Sequence, residues 1–358
     1  MVSHDAQRDA FVQRLFDSNL QALEVLSVYL GDRLGLYRVL AANGPMTAQE
    51  MSAAAGIDTR YAREWLEQQA AAAILDVDAT LPEDDRRFGL SPAHAEVLTA
   101  PERPYAMAAL CRSTSAIGGA LPLLLEAYRT GDGVAWDGFG NDMIEAQGDF
   151  NRPWLVGSFA TEYLPSMPDI HARLQAGARV ADIACGVGWA AISIARAYPG
   201  VQVDGFDLDE TSIRLARENA LAAGVGDRVT FQTGDMADHT DAGRYDLAVV
   251  IEAIHDMSRP VEVLSSIRSI LTPSGTLIVA DELTADAFHA PAGEVERLFY
   301  AFSILTCLPS GLLQKPSAGT GTVMRRSTFE GYASAAGFGT VSVLPIEHDF
   351  LRFYRLDP

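Results

Sequence analysis

Residues 180 to 191 read VADIACGVGWAA, an apolar run interrupted by Asp182 and followed by Gly186 and Gly188 flanking a single residue. A helix-like segment, WAAISIARAY, comes next. A strand that ends in a glycine turn before a helix presents backbone N–H groups and lets a ligand approach the main chain, as nucleotide-like cofactors require. Asp207 lies about 20 residues further on, at the end of the next apolar run, where a carboxylate can accept both hydroxyl hydrogens of a ribose. The spacing G-x-G-x-x-A by itself fits a dinucleotide equally well. Three features separate the cofactors. Asp182 stands in the strand where a dinucleotide site carries an apolar residue, and it either holds the turn or meets a ligand ammonium group. Asp235, in TGDM beside apolar Met236, suits an adenine amino group. The chain closes on a hairpin, which leaves no separate catalytic domain for a dehydrogenase.

A second set of reactive side chains sits further along. In YDLAVVIEAIHD, His255 follows a strand, and loops at the carboxyl ends of strands are where open sheets bind ligands. His255 is the candidate general base, Asp256 beside it the group that orients the ring, and Glu282 at the end of VADE a further carboxylate near the cleft. Glu252, at the strand end before His255, joins the cofactor-binding set. No H-x-x-x-H or cysteine pair is present, and His255 would need distant help from His289 or Glu282 to hold a metal, so no metal is expected. His4, His94, His171, His239 and His348 have no comparable context. Trp136, Phe139, Arg152 and Trp154 are candidate lining of a substrate pocket. The loop SAGTGT at 317 to 322 lacks the lysine and serine order of a phosphate loop and reads as a lid over the cleft.

These residues need a scaffold. From Arg179 onward, RVADIA, VQVDGFDL, RVTFQTGD, YDLAVVIEA and GTLIVADE alternate with helical segments, the pattern of a parallel sheet covered on both faces. SVLPIEHD and FLRFYRLD follow with almost no room for a crossover helix and predict an antiparallel hairpin at the sheet edge. Nearer the N-terminus, apolar residues recur at helical spacing from Phe11 to Leu40, and Thr47 with Glu50 forms a capping box. Gly56 ends that helix and Asp58 or Thr59 caps another running to about Ala73; ILDVDA and RRFGLSP read as the strands of a wing. The expected division is a winged-helix-like dimerisation domain over 1–100, a helical connector and substrate lid over 101–175, and a catalytic domain over 176–358.

Charge narrows the partners. The 358-residue chain has 47 acidic against 27 basic residues, a field that repels phosphate backbones and anionic membranes. Arg60 and Arg63 on the second helix face Glu64 and Glu67, and the wing tip is Glu83-Asp84-Asp85, which argues against DNA. Three separated cysteines, Cys111, Cys185 and Cys307, fit neither a disulfide framework nor a metal pair. The N-terminal residues show no targeting pattern, and the most apolar run, Ala116 to Leu125, is too short to span a bilayer, so a soluble, cytoplasmic protein is expected.

D-I-A-C-G-V-G, from Asp182 to Gly188, resembles the first motif of class I S-adenosylmethionine-dependent methyltransferases, with Ala184 where many members have glycine. The winged helix, NRPW at 151 to 154, YDLAVVIEAIHDMSRPVEVL, CLP at 307 to 309, GTGTVMR and the RFYRL ending look like the actinobacterial small-molecule methyltransferases with an N-terminal winged helix, over nearly the whole chain. The resemblance implies an α/β Rossmann-like sheet with S-adenosyl-L-methionine as cofactor. Gly186 and Gly188 would face its methionine part, Asp207 its ribose hydroxyls, and Leu208 its adenine. Asp235 would bind the adenine amino group, with Met236 alongside. It further implies a homodimer and methyl transfer to an oxygen or activated carbon of a small molecule, as in secondary metabolism. Three other readings stay open: a cyclisation or similar reaction on the same fold, metal-assisted C-methylation of a 2-oxo acid, and a DNA-binding regulator.

Overall fold

Capping chemistry fixes the helices nearest the N-terminus. The computed structural model describes residues 3–239 and 242–358, which divide into two units, Met1–Ala116 and Ile117–Pro358. The first unit holds helices α1 (His4–Arg33), α2 (Leu36–Asn43), α3 (Ala48–Ala55) and α4 (Thr59–Ala71), strands β1 (Asp76–Val77) and β2 (Phe88–Gly89), and α5 (Pro92–Thr99). The stretch of helical spacing from Phe11 to Leu40 folds into two helices, because Gly35 takes φ 70° between α1 and α2. Thr47 and Glu50 bond reciprocally at the start of α3, Gly56 ends it at φ 69°, and Asp58 accepts the N–H groups of Arg60 and Tyr61 to open α4. β1 and β2 pair antiparallel as the wing, and Met46 bridges to Phe88. Leu36, Tyr37, Leu40, Met51, Trp65, Leu66 and Phe88 make the core.

Helix α6 (Ala108–Thr130) runs across the boundary between the units. The apolar run Ala116 to Leu125 is thus part of a 23-residue helix, the one described helix long and apolar enough by composition to cross a membrane. Its Arg112 is buried and ion-paired to Asp32, as in a protein interior.

The second unit continues with α7 (Asn141–Trp154), a π-helical segment (Leu155–Tyr163) and α8 (Pro168–Gln175), so the connector is helical as expected. Strands and helices then alternate: β3 (Arg179–Ile183), α9 (Trp189–Ala197), β4 (Gln202–Asp207), α10 (Glu210–Ala222), β5 (Val229–Thr233), β6 (Tyr245–Ile251), α11 (Pro260–Ile270) and β7 (Leu271–Glu282). α12 (Glu294–Phe302), α13 (Leu308–Gly311), α14 (Arg326–Ala335), β8 (Thr340–Val343) and β9 (Leu351–Asp357) complete it. The sheet order is β5-β4-β3-β6-β7-β9-β8, parallel through β7, with β9 antiparallel to both its neighbours. This is the Rossmann-like sheet with a terminal antiparallel hairpin.

Period-two alternation explains why both faces are covered. Val180, Leu247, Val249 and Ile278 enter one core with α9 and α10, while Ala181, Ala248, Val250, Leu277 and Val279 enter the other with α11 and α14. Strand order reverses between β3 and β6, so a crevice opens beyond their carboxyl ends, where the glycine turn and the 252–256 segment lie.

Candidate functional site

The turn after β3 is held in left-handed backbone at Ala184 (φ 54°), Gly186 (φ 51°) and Gly188 (φ 85°). A Cβ at Gly188 would come within 2.6 Å of Phe231 Cζ, so neither the φ nor the space admits another residue. Ala184 keeps its side chain at some cost in backbone strain. Gly188 offers α9 no side-chain cap; Asp182 supplies it from the strand, accepting the Ala191 N–H at 3.0 Å. Of the two roles expected for Asp182, holding the turn is the one the free protein displays. Asp182 is buried, and that burial, with Asp207 nearby adding to it, pushes its carboxyl up to about 7.

Asp207 closes the turn from β4. It accepts the Gly186 N–H at 2.8 Å through Oδ2 and the Asp209 N–H at 2.9 Å through Oδ1, and burial outweighs these bonds to raise its pKa. Each oxygen keeps a second lone pair for a hydroxyl group. The next residue, Leu208, is 62% exposed, an apolar surface beside a ribose-sized acceptor. Asp235 starts a short helical turn, accepting the Ala237 N–H at 2.8 Å, and its Oδ2 is 2.6 Å from an Arg259 guanidinium nitrogen. Arg259 was missed by sequence reasoning, since nothing in SRP marks it as a partner of a residue about 24 positions earlier. Met236 is corrected from its expected place alongside the adenine: its side chain is buried in the sheet core, with its sulfur 3.9 Å from Ser266 Oγ.

His255 is buried, 2% exposed, with Nδ1 2.9 Å from Asp281 Oδ1 and 2.8 Å from Glu282 Oε2. The orienting role expected of Asp256 therefore falls to Asp281, the other missed residue; alternation along β7 places Asp281 inward, a signal hidden by the choice of its neighbour Glu282. Burial opposes a charged ring, but Glu282 and Asp281 outweigh it and raise the pKa of His255 well above its ordinary value. Asp281, stabilised by that charge against its own burial, is held below the usual carboxylate range, while burial pushes Glu282 well up. A ring biased toward its protonated form by these carboxylates is a weaker proton acceptor than the lone base expected of His255. Asp256, raised by burial to about 7, has a carboxylate oxygen within 4.8 Å of a His255 nitrogen and of the Cys307 sulfur. Donor atoms of His255, Asp281 and Glu282 likewise lie within 4.8 Å of one another, a set that a divalent cation could use as well as a proton.

Helix α7 walls the turn. A Cβ on Gly148 would lie 2.2 Å from Val187 Cγ2, so the helix rests on the glycine turn only because that position is glycine. One residue before it and three after it, Gln147 and Asn151 donate to Glu252 Oε2 at 2.8 and 2.9 Å. Arg152 stacks on Trp189 at 4.2 Å, and its buried Nε has no hydrogen-bond partner among the described residues. Trp154 is corrected from pocket lining: it bonds Asn151 and packs edge-on against Phe159 and Phe353 in an aromatic core. Trp136 packs on Phe139. The loop expected as a lid is pinned instead, with Gly321 N–H bonded to the His255 carbonyl and Ala318 N–H to that of Ser258, both at 2.9 Å.

Comparison with known proteins agrees with this architecture. Residues 174–303 match the family model for a methyltransferase domain, and residues 22–100 that for an Rv2258c-like winged helix-turn-helix domain. The chain is 34% identical over 127 residues to 27-O-demethylrifamycin SV methyltransferase of Amycolatopsis mediterranei, covering 35% of this chain and 46% of that one. It thus spans about half the length of the curated relatives it matches. Among solved structures, mitomycin 7-O-methyltransferase MmcR superposes with a TM-score of 0.69 at 21% identity over 99% of both chains, and PigF with SAH with 0.71 at 20% over the whole of both. At these identities the structural likeness speaks to the fold. Residues 174–303 are a methyltransferase domain, and residues 22–100 are a winged helix-turn-helix domain of the Rv2258c-like type.

Proposed function

We propose that this chain binds S-adenosylmethionine and methylates an oxygen of a small molecule. The observation that carries the reading is the pairing of half-buried Asp207 with exposed Leu208 beside an open glycine turn, on a methyltransferase domain. When bound, this cofactor supplies an electrophilic methyl group on a positively charged sulfur. Gly186 and Gly188 admit it to the backbone, Asp207 accepts the ribose hydroxyls, and Leu208 covers the adenine, whose amino group meets Asp235 with Arg259 behind it. Arg152 Nε remains a free donor for an anionic group of cofactor or acceptor. His255, held as an imidazolium by Asp281, steadies negative charge on the acceptor oxygen. α7 and the pinned loop border this site: Gly148 abuts Val187 of the turn, and Gly321 and Ala318 bond the carbonyls of His255 and Ser258.

The winged helix serves self-association. On α1, Phe11, Val12, Leu15, Phe16, Leu20, Leu23 and Leu30 are all exposed, a stripe long enough to take a second copy of the chain. DNA binding is disfavoured: Arg60 pairs with Glu64, and Arg63 with Glu83 and Asp84, so α4 offers little positive charge to phosphates. Calorimetry with S-adenosylhomocysteine, followed by its release from S-adenosylmethionine against a panel of phenols and alcohols, tests the activity. Absence of binding would refute the cofactor, and turnover without an acceptor would favour another reaction on this fold.

A further inference from the structure

Glu252 has a conformation and a set of contacts that ribose and adenine recognition leave unexplained. It takes φ 49°, left-handed backbone that a side-chain-bearing residue adopts at a cost. In the register, Ile183 pairs with Val250, so two residues past this pair Glu252 lies beside the start of the glycine turn. Helix α7 ties the two together: Gly148 abuts Val187 of the turn, while Gln147 and Asn151 both donate to Glu252 Oε2. Oε1 takes no hydrogen bond among the described residues. The side chain is partly exposed, unlike His255 behind it. A clamped carboxylate with one oxygen open to a crevice is arranged for a positive ligand.

We propose that Glu252 is the counter-charge for the cationic centre of the bound cofactor, so that this site discriminates a sulfonium from the neutral thioether left after transfer. The inference rests on the cofactor assignment above. Two neutral amides fix the carboxylate without neutralising it, so its charge is left for the ligand. Burial raises its pKa, against the Asn151 and Gln147 hydrogen bonds and the pull of His255 and with the push of Asp281, and a bound cation would draw the charge out. The neutral product loses that attraction, which favours its departure.

The test uses binding alone. Sinefungin carries an ammonium group where the cofactor carries its sulfonium, whereas S-adenosylhomocysteine is neutral there and otherwise shares the same contacts. In the full chain, Glu252→Gln keeps an acceptor for Gln147 and Asn151 but removes the charge. Calorimetry should show sinefungin binding weakened about tenfold or more, with S-adenosylhomocysteine changed less than about threefold. Equal weakening of both, or unchanged sinefungin, overturns the proposal. Failure of the wild-type chain to bind S-adenosylhomocysteine overturns the cofactor assignment instead. A measurement free of variants runs alongside: the wild-type affinity ratio of sinefungin to S-adenosylhomocysteine should fall as the pH is lowered through the titration of Glu252. A flat ratio also overturns it, since Asp182 and Asp207 act on parts common to both ligands, and His255 and Asp281 are the other charges facing Glu252.

Discussion

Replacing Asp182 by Asn should stabilise the free protein above neutral pH, although it removes a buried hydrogen-bonded carboxylate. Asp182 has its pKa raised from 3.8 to about 7, chiefly because burial penalises its charge. At ~1.36 kcal/mol per unit, holding it ionised in the fold costs about 4 kcal/mol. The sign follows from proton binding. The folded protein keeps this proton to higher pH than the unfolded chain, so wild-type stability falls as pH climbs from about 4 to about 7 and stays low above that. Asn is neutral throughout, and its carbonyl oxygen can still accept the Ala191 N–H that caps α9. The difference between variant and wild type should therefore grow with pH. For a domain of this size each kcal/mol moves the melting temperature by roughly 2–4 °C, which sets a ceiling of about 8–16 °C at pH 8. Thermal melts followed by circular dichroism at pH 5, 6.5 and 8 measure it. A variant that melts well below wild type at pH 8 would refute the reasoning, for then the Ala191 bond, not desolvation, governs the site. The cost should surface in function: if the charge of Asp182 answers the cofactor's ammonium group, the variant binds S-adenosylhomocysteine more weakly, and wild-type binding near pH 6 releases a proton detectable by calorimetry in buffers of different ionisation enthalpy.

Asp207→Ala should weaken S-adenosylhomocysteine by at least about tenfold, because it removes a ribose acceptor and leaves the Gly186 and Asp209 N–H groups unpaired; normal affinity in calorimetry would contradict the ribose role. Gly148→Ala places a Cβ 2.2 Å from Val187 Cγ2, so it should cost roughly 1–3 kcal/mol by overpacking and weaken the cofactor as well; an unchanged melt would show that α7 yields freely. Asp281→Asn should lower the pKa of His255 and shift the alkaline limb of kcat to lower pH, whereas His255→Ala should lose about 10²–10³-fold in kcat with cofactor affinity intact; an unmoved limb would remove the imidazolium role. Leu15→Glu with Leu23→Glu should leave a monomer in light scattering if α1 joins two copies, and an unaltered mass would refute that use of the stripe.

What the sequence disclosed was local, and what it hid was brought together by the fold. The capping box at Thr47 and Glu50, the glycine stop at Gly56 and the alternation of strand and helix act over a few residues each, so they survive in a linear reading. The site is legible to the same depth: Asp182, Gly186, Gly188 and Asp207 are tied to one turn and stand where the spacing puts them. Partners supplied from elsewhere are not. Arg259 reaches Asp235 from the start of another helix, and Gln147 and Asn151 reach Glu252 across about 100 residues. His255 shows why this matters for chemistry. Its position past β6 was readable from the strand pattern, but its protonation state belongs to Asp281 and Glu282 on the neighbouring strand. A histidine beside one aspartate in sequence suggests a base; the same histidine beside Asp281 and Glu282 in space is biased toward its protonated form. Buried His255 and partly exposed Glu252 stand three residues apart in the chain. Only the fold decides that one of them faces inward and the other the crevice.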